Sequence, residues 1–200
     1  MAYLHTRYDN GRDLMPKTKA AIEIQNVVST ATLHQTVDLN AVVKSVPGVE
    51  YRPERFPGLV LRLRKPKTAM LIFHSGKMVC TGAKSERDSR RAVTTVIKEL
   101  KRSGIIIIGK PTVTVVNIVA SASLGGMIDL EQSAYVLERT MYEPEQFPGL
   151  IHRMDDPKVV ILLFASGNLV CTGARKEQDV YDAVQTLHAS LEKQNLILYE

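Results

Sequence analysis

The sequence contains no tryptophan, and only four phenylalanines and two cysteines occur among its 200 residues. Its apolar runs are far shorter than the roughly 20 residues that a membrane-spanning helix needs. Its first residues also lack the apolar stretch of a secretory signal. Two cysteines are too few for the disulfide framework of a small secreted domain. We therefore expect an intracellular protein in which Cys80 and Cys171 are small core residues, with a disulfide between them as the alternative.

The sequence also lacks the clustered residues that catalysis requires. It has no phosphate-binding G-x-x-x-x-G-K-[ST] loop, no G-x-G-x-x-G motif and no metal-ligand spacing. The histidines are scattered, and no two of them match in the repeat described below: His5, His34, His74, His152 and His188. His188 falls in a predicted helical stripe and is expected in the core. We expect neither an enzyme nor a cofactor.

Acidic residues are scarce in one half of the chain and abundant in the other. Residues 20–110 contain 16 basic and 7 acidic side chains, whereas residues 111–200 contain 6 and 12. The net charge of +5 conceals this difference. A basic surface favours a polyanionic partner, and an acidic surface favours a basic protein.

A long internal repeat divides the chain. Residues 55–84 and 146–175 align without a gap at an offset of 91 and are identical at 16 of 30 positions. The same offset places every phenylalanine on another phenylalanine. This period exceeds the 20–50 residues of a solenoid unit. We therefore predict a duplicated half-domain, with a loose N-terminal tail over residues 1–19 and repeats over residues 20–110 and 111–200.

Each repeat predicts a strand, a short helix, three strands and a long helix. In the first repeat, Asp38 is a good N-cap for the short helix and Ser85 for the long helix. The apolar residues of the short helix are Leu39, Val42, Val43 and Val46. Those of the long helix are Ala92, Val93, Val96, Ile97 and Leu100. The pattern indicates an α+β fold in which helices cover one face of a mostly antiparallel sheet.

The strands predict a sheet that is apolar on both faces. Because side chains alternate along a strand, Leu71 and Phe73 lie opposite Met70 and Ile72. Helices can cover only one of these faces, and an uncovered apolar face requires a partner. Periodicity alone leaves open whether that partner is another sheet, in a sandwich or dimer, or a different kind of molecule.

Three features favour a partner other than a second sheet. The phenylalanines adjoin turns rather than strand centres. Repeat-matched basic residues flank the same strands, and Asn26 and Asn117 are matched amides in otherwise apolar strands. A lone lysine is usually just solvated, but a matched set around an apolar floor favours a polyanion.

Four features resemble the TATA-box-binding protein family: FPGL, the block F-x-S-G-x-x-V-C-T-G-A, the EPEQFPGL segment and the 91-residue duplication. The resemblance is closest to archaeal members and covers roughly residues 20–198. It implies a pseudo-twofold saddle, in which a curved ten-stranded antiparallel sheet carries helices on its convex face. It also implies a general transcription initiation factor that binds and bends TATA-box promoter DNA through the minor groove. Such a protein is located with the chromosomal DNA, in the cytoplasm or nucleoid if archaeal and in the nucleus if eukaryotic.

The resemblance assigns roles to residues at matched positions. The wedges that open base steps at the two ends of the site are Phe56 with Phe73, and Phe147 with Phe164. The groove floor consists of Val28, Leu71, Val79, Val119, Leu162 and Val170. The contacts to central minor-groove acceptors are Asn26, Thr81, Asn117 and Thr172. The phosphate contacts are the flanking basic residues Arg62, Lys67, Lys77, Lys84, Arg153, Lys158 and Arg175.

Two matched loops, which we name stirrups, differ in charge. The first stirrup (residues 52–55) is RPER, and the second stirrup (residues 143–146) is EPEQ. The resemblance implies that the second stirrup docks a TFIIB-like factor through Glu143, Glu145 and Gln146, with RNA polymerase as an indirect partner. It implies no membrane partner, and a homodimer is possible without DNA.

Three residues depart from the family pattern. Asn168 stands where the first repeat has Lys77, Val116 where a polar residue is common, and His152 where tyrosine is common. None of them is one of the four phenylalanines.

The alternative function is a protein-interaction or dimerisation module that uses the apolar face without DNA. Single-stranded RNA is less favoured, because base stacking requires aromatics in the middle of the sheet and that region is aliphatic.

Overall fold

The computed structural model describes residues 19–199, which form two repeats. The expected N-terminal tail therefore lies outside the described residues, except for Lys19. The first repeat contains β1 (Ala21–Thr32), α1 (Leu39–Ser45), β2 (Val49–Tyr51), β3 (Gly58–Arg64), β4 (Lys67–Phe73), β5 (Lys77–Ala83) and α2 (Glu86–Arg102). The second contains β6 (Thr112–Ser123), β7 (Met127–Ile128), α3 (Leu130–Val136), β8 (Thr140–Met141), β9 (Leu150–Asp155), β10 (Lys158–Leu163), β11 (Asn168–Ala174), α4 (Glu177–Lys193) and β12 (Ile197–Leu198). The order of elements is the same in both, except that the second repeat has two additional short strands, β7 and β12, which pair with each other.

One ten-stranded antiparallel sheet runs through both repeats, in the order β2-β3-β4-β5-β1-β6-β11-β10-β9-β8. The two halves join where β1 pairs with β6. Val27 lies opposite Ile118 at the centre, and the flanking pairs Asn26–Val119 and Val28–Asn117 are repeat-matched. A pseudo-twofold axis therefore passes through the centre of the β1–β6 ladder.

The long helices lie on one face of this sheet. Met70, Ile72 and Cys80 point towards α2 and are fully buried, whereas Leu71 and Val79 on the opposite face are only half-buried. The second half repeats this alternation in β10 and β11. We name the side opposite the helices the open face, because no element of the described residues packs on it. The predicted pair of apolar faces is confirmed.

Caps and apolar stripes explain where the helices begin. The Asp38 carboxylate accepts from the backbone of Asn40 and Ala41, and the Ser85 hydroxyl accepts from the backbone of Asp88. The predicted stripe of α2 is confirmed, because all five of its residues are buried. The prediction that Val43 belongs to the apolar face of α1 is wrong. Val43 is 42% exposed, since the short helix turns it away from the sheet.

A reciprocal pair of hydrogen bonds ties the two long helices together at their N-termini. The Glu86 carboxylate accepts from the backbone N–H of Glu177 at 2.9 Å, and the Glu177 carboxylate accepts from that of Glu86 at 2.6 Å. The first N–H groups of a helix have no partner within the helix, and the helix dipole favours negative charge there. The two matched glutamates therefore link the halves on the helix face.

The strands β2 and β8 are the edges of the ten-stranded sheet, and residue patterns did not predict them. They are only three and two residues long, and such segments are too short to show alternation. They exist because β3 and β9 offer free edges with which they pair. The ten strands implied by the family resemblance are therefore present.

The two cysteines are free, buried and at matched positions, as predicted. Burial raises the pKa of the Cys171 thiol to about 11. Burial also raises the pKa of Cys80, against the effect of a hydrogen bond from Ser89.

His188 is a buried core residue, as expected, and its ring contacts the Tyr199 hydroxyl at 2.9 Å. Burial lowers the pKa of His188, and the nearby Glu192 opposes that shift.

Burial of both thiols predicts that they are unreactive in the folded protein. Native protein at pH 8 should leave Cys80 and Cys171 unlabelled by a maleimide dye, because the thiolate is the reactive form and both pKa values are raised. Protein unfolded in guanidinium should take up two dyes per chain, as counted by mass spectrometry. Labelling of native protein as fast as the unfolded control would contradict the buried positions.

Candidate nucleic-acid interface

The four phenylalanines form two isolated aromatic pairs at matched places on the sheet. The ring centroids of Phe56 and Phe73 lie 5.6 Å apart at an interplanar angle of 65°. Those of Phe147 and Phe164 lie 5.8 Å apart at 64°. Both geometries are edge-to-face contacts, in which the positive edge of one ring meets the negative face of the other. Because β4 and β10 lie on either side of the β1–β6 centre, the pairs occupy opposite ends of the open face.

The glycine of each FPGL motif is required by the aromatic pair. A Cβ atom on Gly58 would lie 2.6 Å from Phe56 Cε1 and 2.9 Å from Phe73 Cε1. A Cβ atom on Gly149 would lie 2.7 Å from Phe147 Cε1 and 3.0 Å from Phe164 Cε1. Real Cβ atoms essentially never approach another heavy atom within 3.0 Å. Each glycine therefore provides the space in which two rings meet.

An aliphatic strip connects the two aromatic pairs. Leu71 lies opposite Val79 in the β4–β5 ladder, and Leu162 lies opposite Val170 in the β10–β11 ladder. Val28 and Val119 continue the strip across the centre. All six residues are half-buried and lie on the open face, so the structure brings together the residues assigned to the groove floor.

The two central asparagines have fixed amide orientations. The backbone N–H of Gly82 donates to Asn26 Oδ1 at 2.7 Å, and that of Gly173 donates to Asn117 Oδ1 at 2.8 Å. Both glycines have positive φ, 92° and 97°, and lie beside register shifts in the sheet, which expose their N–H groups. Each amide oxygen already accepts a hydrogen bond from a glycine N–H. The group that each asparagine can offer to a ligand on the open face is therefore its NH₂ donor.

Thr81 and Thr172 adjoin these asparagines, as their assigned role requires. Asn26 Nδ2 donates to Thr81 Oγ1 at 3.3 Å, and Thr172 Oγ1 donates to Asn117 Oδ1 at 3.4 Å. Both threonines are half-buried. The centre of the open face is therefore a small hydrogen-bonding group within an aliphatic surface.

The basic residues assigned to phosphates lie on the open face or at its margins. Lys67, Lys77 and Lys158 are exposed and in phase with the aliphatic strip. Arg62 also lies on this face, where its Nε donates to Glu50 Oε1 at 3.3 Å. Exposed ion pairs of this kind contribute little, so a phosphate can replace Glu50. The remaining assigned residues, Lys84, Arg153 and Arg175, are exposed as well.

Sequence reasoning missed two polar residues of β1 on the open face. Gln25 Nε2 donates to Ser121 Oγ at 2.8 Å, and Lys84 Nζ donates to Gln25 Oε1 at 2.8 Å. Glu23 lies directly opposite Ser121 in the β1–β6 ladder and is exposed. Directly opposed residues share a sheet face. The only sequence signal was a polar residue at each of these positions within an apolar strand.

Each stirrup is a tight turn that ends at a phenylalanine of an aromatic pair. In the second stirrup, the backbone N–H groups of Gln146 and Phe147 both donate to the Glu143 carbonyl at 2.9 Å. In the first, those of Arg55 and Phe56 donate to the Arg52 carbonyl at 2.9 Å. Glu143, Glu145 and Gln146 are exposed. The side chains assigned to the protein partner are therefore accessible.

Residues 19–199 contain no group of three or more histidine, cysteine, aspartate or glutamate side chains that could hold a metal ion. In the same part of the chain, no helix has the length and apolar character needed to span a membrane.

A sequence model of the family described as "Transcription factor TFIID (or TATA-binding protein, TBP)" matches residues 21–103 and 112–194. The two matched segments correspond to the two repeats of the structure.

Individual relatives agree with this match. The chain is 55% identical over 175 residues to a TATA-box-binding protein of Pyrodictium occultum, covering 88% of each chain. It is 47% identical over 190 residues to one of Aeropyrum pernix, covering 95% of this chain and 93% of that one. The solved structure of Methanococcus jannaschii TBP superposes with a TM-score of 0.77 at 46% identity, covering 86% of this chain and 98% of the other. The chain has the saddle fold of these proteins and belongs to the TATA-binding protein family.

Proposed function

We propose that this protein is a general transcription initiation factor that binds and bends TATA-box promoter DNA through its open face. The observation that supports this most strongly is the pair of Phe–Phe contacts at the two ends of an uncovered aliphatic strip. Curated relatives of similar length are named TATA-box-binding proteins. The proposed function places the protein on the chromosomal DNA.

The aliphatic strip favours the minor groove of A·T base pairs. In that groove A·T and T·A present only acceptors, whereas G·C adds the guanine amino donor. The strip offers this amino group no hydrogen-bond acceptor and leaves little room for it. Asn26 and Asn117 present NH₂ donors that suit the adenine N3 and thymine O2 acceptors. Selectivity therefore follows from apolar exclusion at the strip and donation at its centre.

The aromatic pairs act as wedges at the two ends of the element. Each pair lies directly over a glycine and has an edge-to-face contact that keeps the rings together. Insertion of a pair between two base pairs buries apolar ring surface, which offsets the cost of unstacking. Pyrimidine–purine steps such as TA unstack most easily. Two wedges that enter a TATA-like element bend the duplex along the sheet.

The cations at the margins of the open face hold the phosphates on both sides of the groove. Each neutralised phosphate releases counterions, so affinity falls as salt rises. Apolar burial is not weakened by salt. We therefore infer that part of the affinity persists at high salt, in contrast to a purely electrostatic DNA-binding protein.

The second stirrup is the proposed docking site for a TFIIB-like factor, which in turn recruits RNA polymerase. Glu143 and Glu145 are exposed, whereas the matched first stirrup carries two arginines. A basic partner therefore distinguishes the two ends of a nearly symmetric saddle. We infer that this contact fixes the direction in which the protein lies on the promoter.

The alternative is a protein-interaction module that buries its open face against a partner or a second copy of the chain. An uncovered apolar face is the observation that favours it. We infer that such a dimer forms only without DNA, because the same residues contact the groove.

Energy transfer between dyes at the two ends of a short duplex tests the function. On a duplex with a TATA element, added protein should bring the ends together, whereas a G·C-scrambled duplex of equal length should not respond. The guanine amino groups exclude the aliphatic strip from the scrambled groove. If neither duplex bends, the alternative function replaces the proposed one.

Removal of one wedge ring should impair bending without loss of stability. Phe147→Ala should reduce TATA affinity about tenfold to a hundredfold, because stacking of one aromatic on a base contributes about 1–3 kcal/mol. The melting temperature should change little, since Phe147 lies on the open face and outside the core. Gly149→Ala should impair bending while it keeps both rings, because the new Cβ displaces them.

Leu150→Ala is the matched control, since Leu150 follows Gly149 but is fully buried. It should lower stability by about 2–5 kcal/mol. Calorimetry measures the melting temperatures, and the end-labelled duplex measures the bend. A Phe147→Ala protein that melts as early as Leu150→Ala would show that the ring is a core residue and not a wedge.

Charge reversal on the second stirrup should separate the two binding steps. Glu145→Arg should leave TATA binding unchanged and weaken the ternary complex with the TFIIB-like factor at least tenfold, as read by gel shift. The substitution replaces attraction between opposite charges across the interface with repulsion between like charges. Glu54 occupies the matched position of the first stirrup, and Glu54→Arg should leave the ternary complex intact. Equal effects of the two variants would refute the assignment to the second stirrup.

A further inference from the structure

Two long margins border the open face, and each margin runs along both halves of the molecule. In an antiparallel sheet, the end of one strand lies beside the start of the next. The end of β5, the start of β1, the end of β6 and the start of β11 therefore share one margin. We name it the Glu23 margin, and it contains Lys67, Lys84, Gln25, Glu23 and Asn168. The opposite one, the Thr114 margin, contains the matched residues Lys158, Arg175, Val116, Thr114 and Lys77.

At one end of the Glu23 margin, two residues carry more negative or less positive charge than the residues at the matched positions of the Thr114 margin. Glu23 matches Thr114, and Asn168 matches Lys77. All four side chains are exposed and on the open face. Glu23 lies opposite Ser121, which lies opposite Val170 next to the second wedge pair. A carboxylate and an amide therefore border the DNA path in the second half, where a hydroxyl and an ammonium border it in the first half.

The turns between the hairpin strands differ in the same direction. In the first half Arg64 ends β3 and Lys65 follows it, whereas Asp155 and Asp156 occupy the matched positions in the second half. Asp155 also forms an ion pair with Arg139. The aliphatic strip and the wedges are nearly symmetric, so the two ends differ in the charges of these margins and turns and of the stirrups.

We propose that Glu23 and Asn168 make the second half the weaker-held end of a bent TATA element. This inference rests on the proposed function. A phosphate that lies against Lys77 in the first half meets Asn168 in the second half, and Glu23 repels the neighbouring phosphates. The DNA end over Phe147 and Phe164 is therefore released first, and the first half is the anchor. The acidic second stirrup adjoins this weaker end, so a docked partner retains the DNA where the protein alone holds it least.

A dye on one stirrup and dyes on both duplex ends can test this asymmetry. Glu54→Cys and Glu145→Cys introduce a thiol at matched exposed positions, one on each stirrup. Both native thiols are buried, so labelling is specific. Because both duplex ends carry the acceptor dye, the transfer reports the DNA end beside the labelled stirrup in either binding orientation.

As salt is raised, transfer from the second stirrup should be lost at a lower concentration than transfer from the first. The order should reverse in E23T/N168K/T114E/K77N, which exchanges the matched residues and leaves the net charge unchanged.

E23T/N168K alone should raise TATA affinity about threefold to tenfold and steepen the slope of log affinity against log salt by about 1. D182T/Q178K makes the same charge change on the exposed surface of α4 and should leave the salt order unchanged.

Simultaneous loss of both signals in the unsubstituted protein would overturn the proposal. It would also be overturned if the exchanged variant kept the original order, or if D182T/Q178K altered that order. The absence of transfer from either stirrup at low salt would show that the open face does not bind the duplex. That result would overturn the proposed function and this inference together, whereas the other results would leave the proposed function intact.

Discussion

The pairing of β1 with β6 is the contact on which the rest of the structure depends. It joins two half-sheets into one and sets a pseudo-twofold axis at Val27 and Ile118. The same pairing aligns the two aliphatic surfaces end to end, so the open face becomes a single strip between two aromatic pairs. On the helix side, the reciprocal contact between Glu86 and Glu177 ties the halves at the same axis. Without this ladder, each half would present a short apolar face with a single aromatic pair.

Glycines determine the local geometry at both functional features of the open face. At Gly58 and Gly149 the absence of a Cβ atom allows two rings to approach the backbone, and any larger residue would displace them. Gly82 and Gly173 adopt positive φ beside register shifts in the sheet. Their backbone N–H groups donate to the side-chain oxygens of Asn26 and Asn117 and so fix the orientation of the two amides. In both places, the absence of a glycine side chain leaves room for the position that a neighbouring phenylalanine or asparagine side chain adopts. The motifs FPGL and CTGA therefore set the geometry of the aromatic pairs and of the asparagine amides.

Symmetry of the fold and asymmetry of the charge have separate physical roles. The buried residues must match in the two halves, because both halves pack helices on the same sheet. Exposed positions carry no such constraint, since surface charges contribute little to folding. The stirrups and the margins of the open face can therefore differ between the halves. Those differences distinguish the two ends of a molecule whose core is nearly symmetric.

The sequence alone determined the duplication, the main helices and strands, the two apolar faces and the buried cysteines. These features are periodic or repeat-matched, and such patterns result from local backbone geometry. The family resemblance added the saddle and the ten strands. The sequence could not show the edge strands β2 and β8, which are too short for alternation and depend on a neighbour. Only the tertiary structure placed Glu23 on the open face and joined Asn26 to Gly82, because strand register decides which distant residues meet.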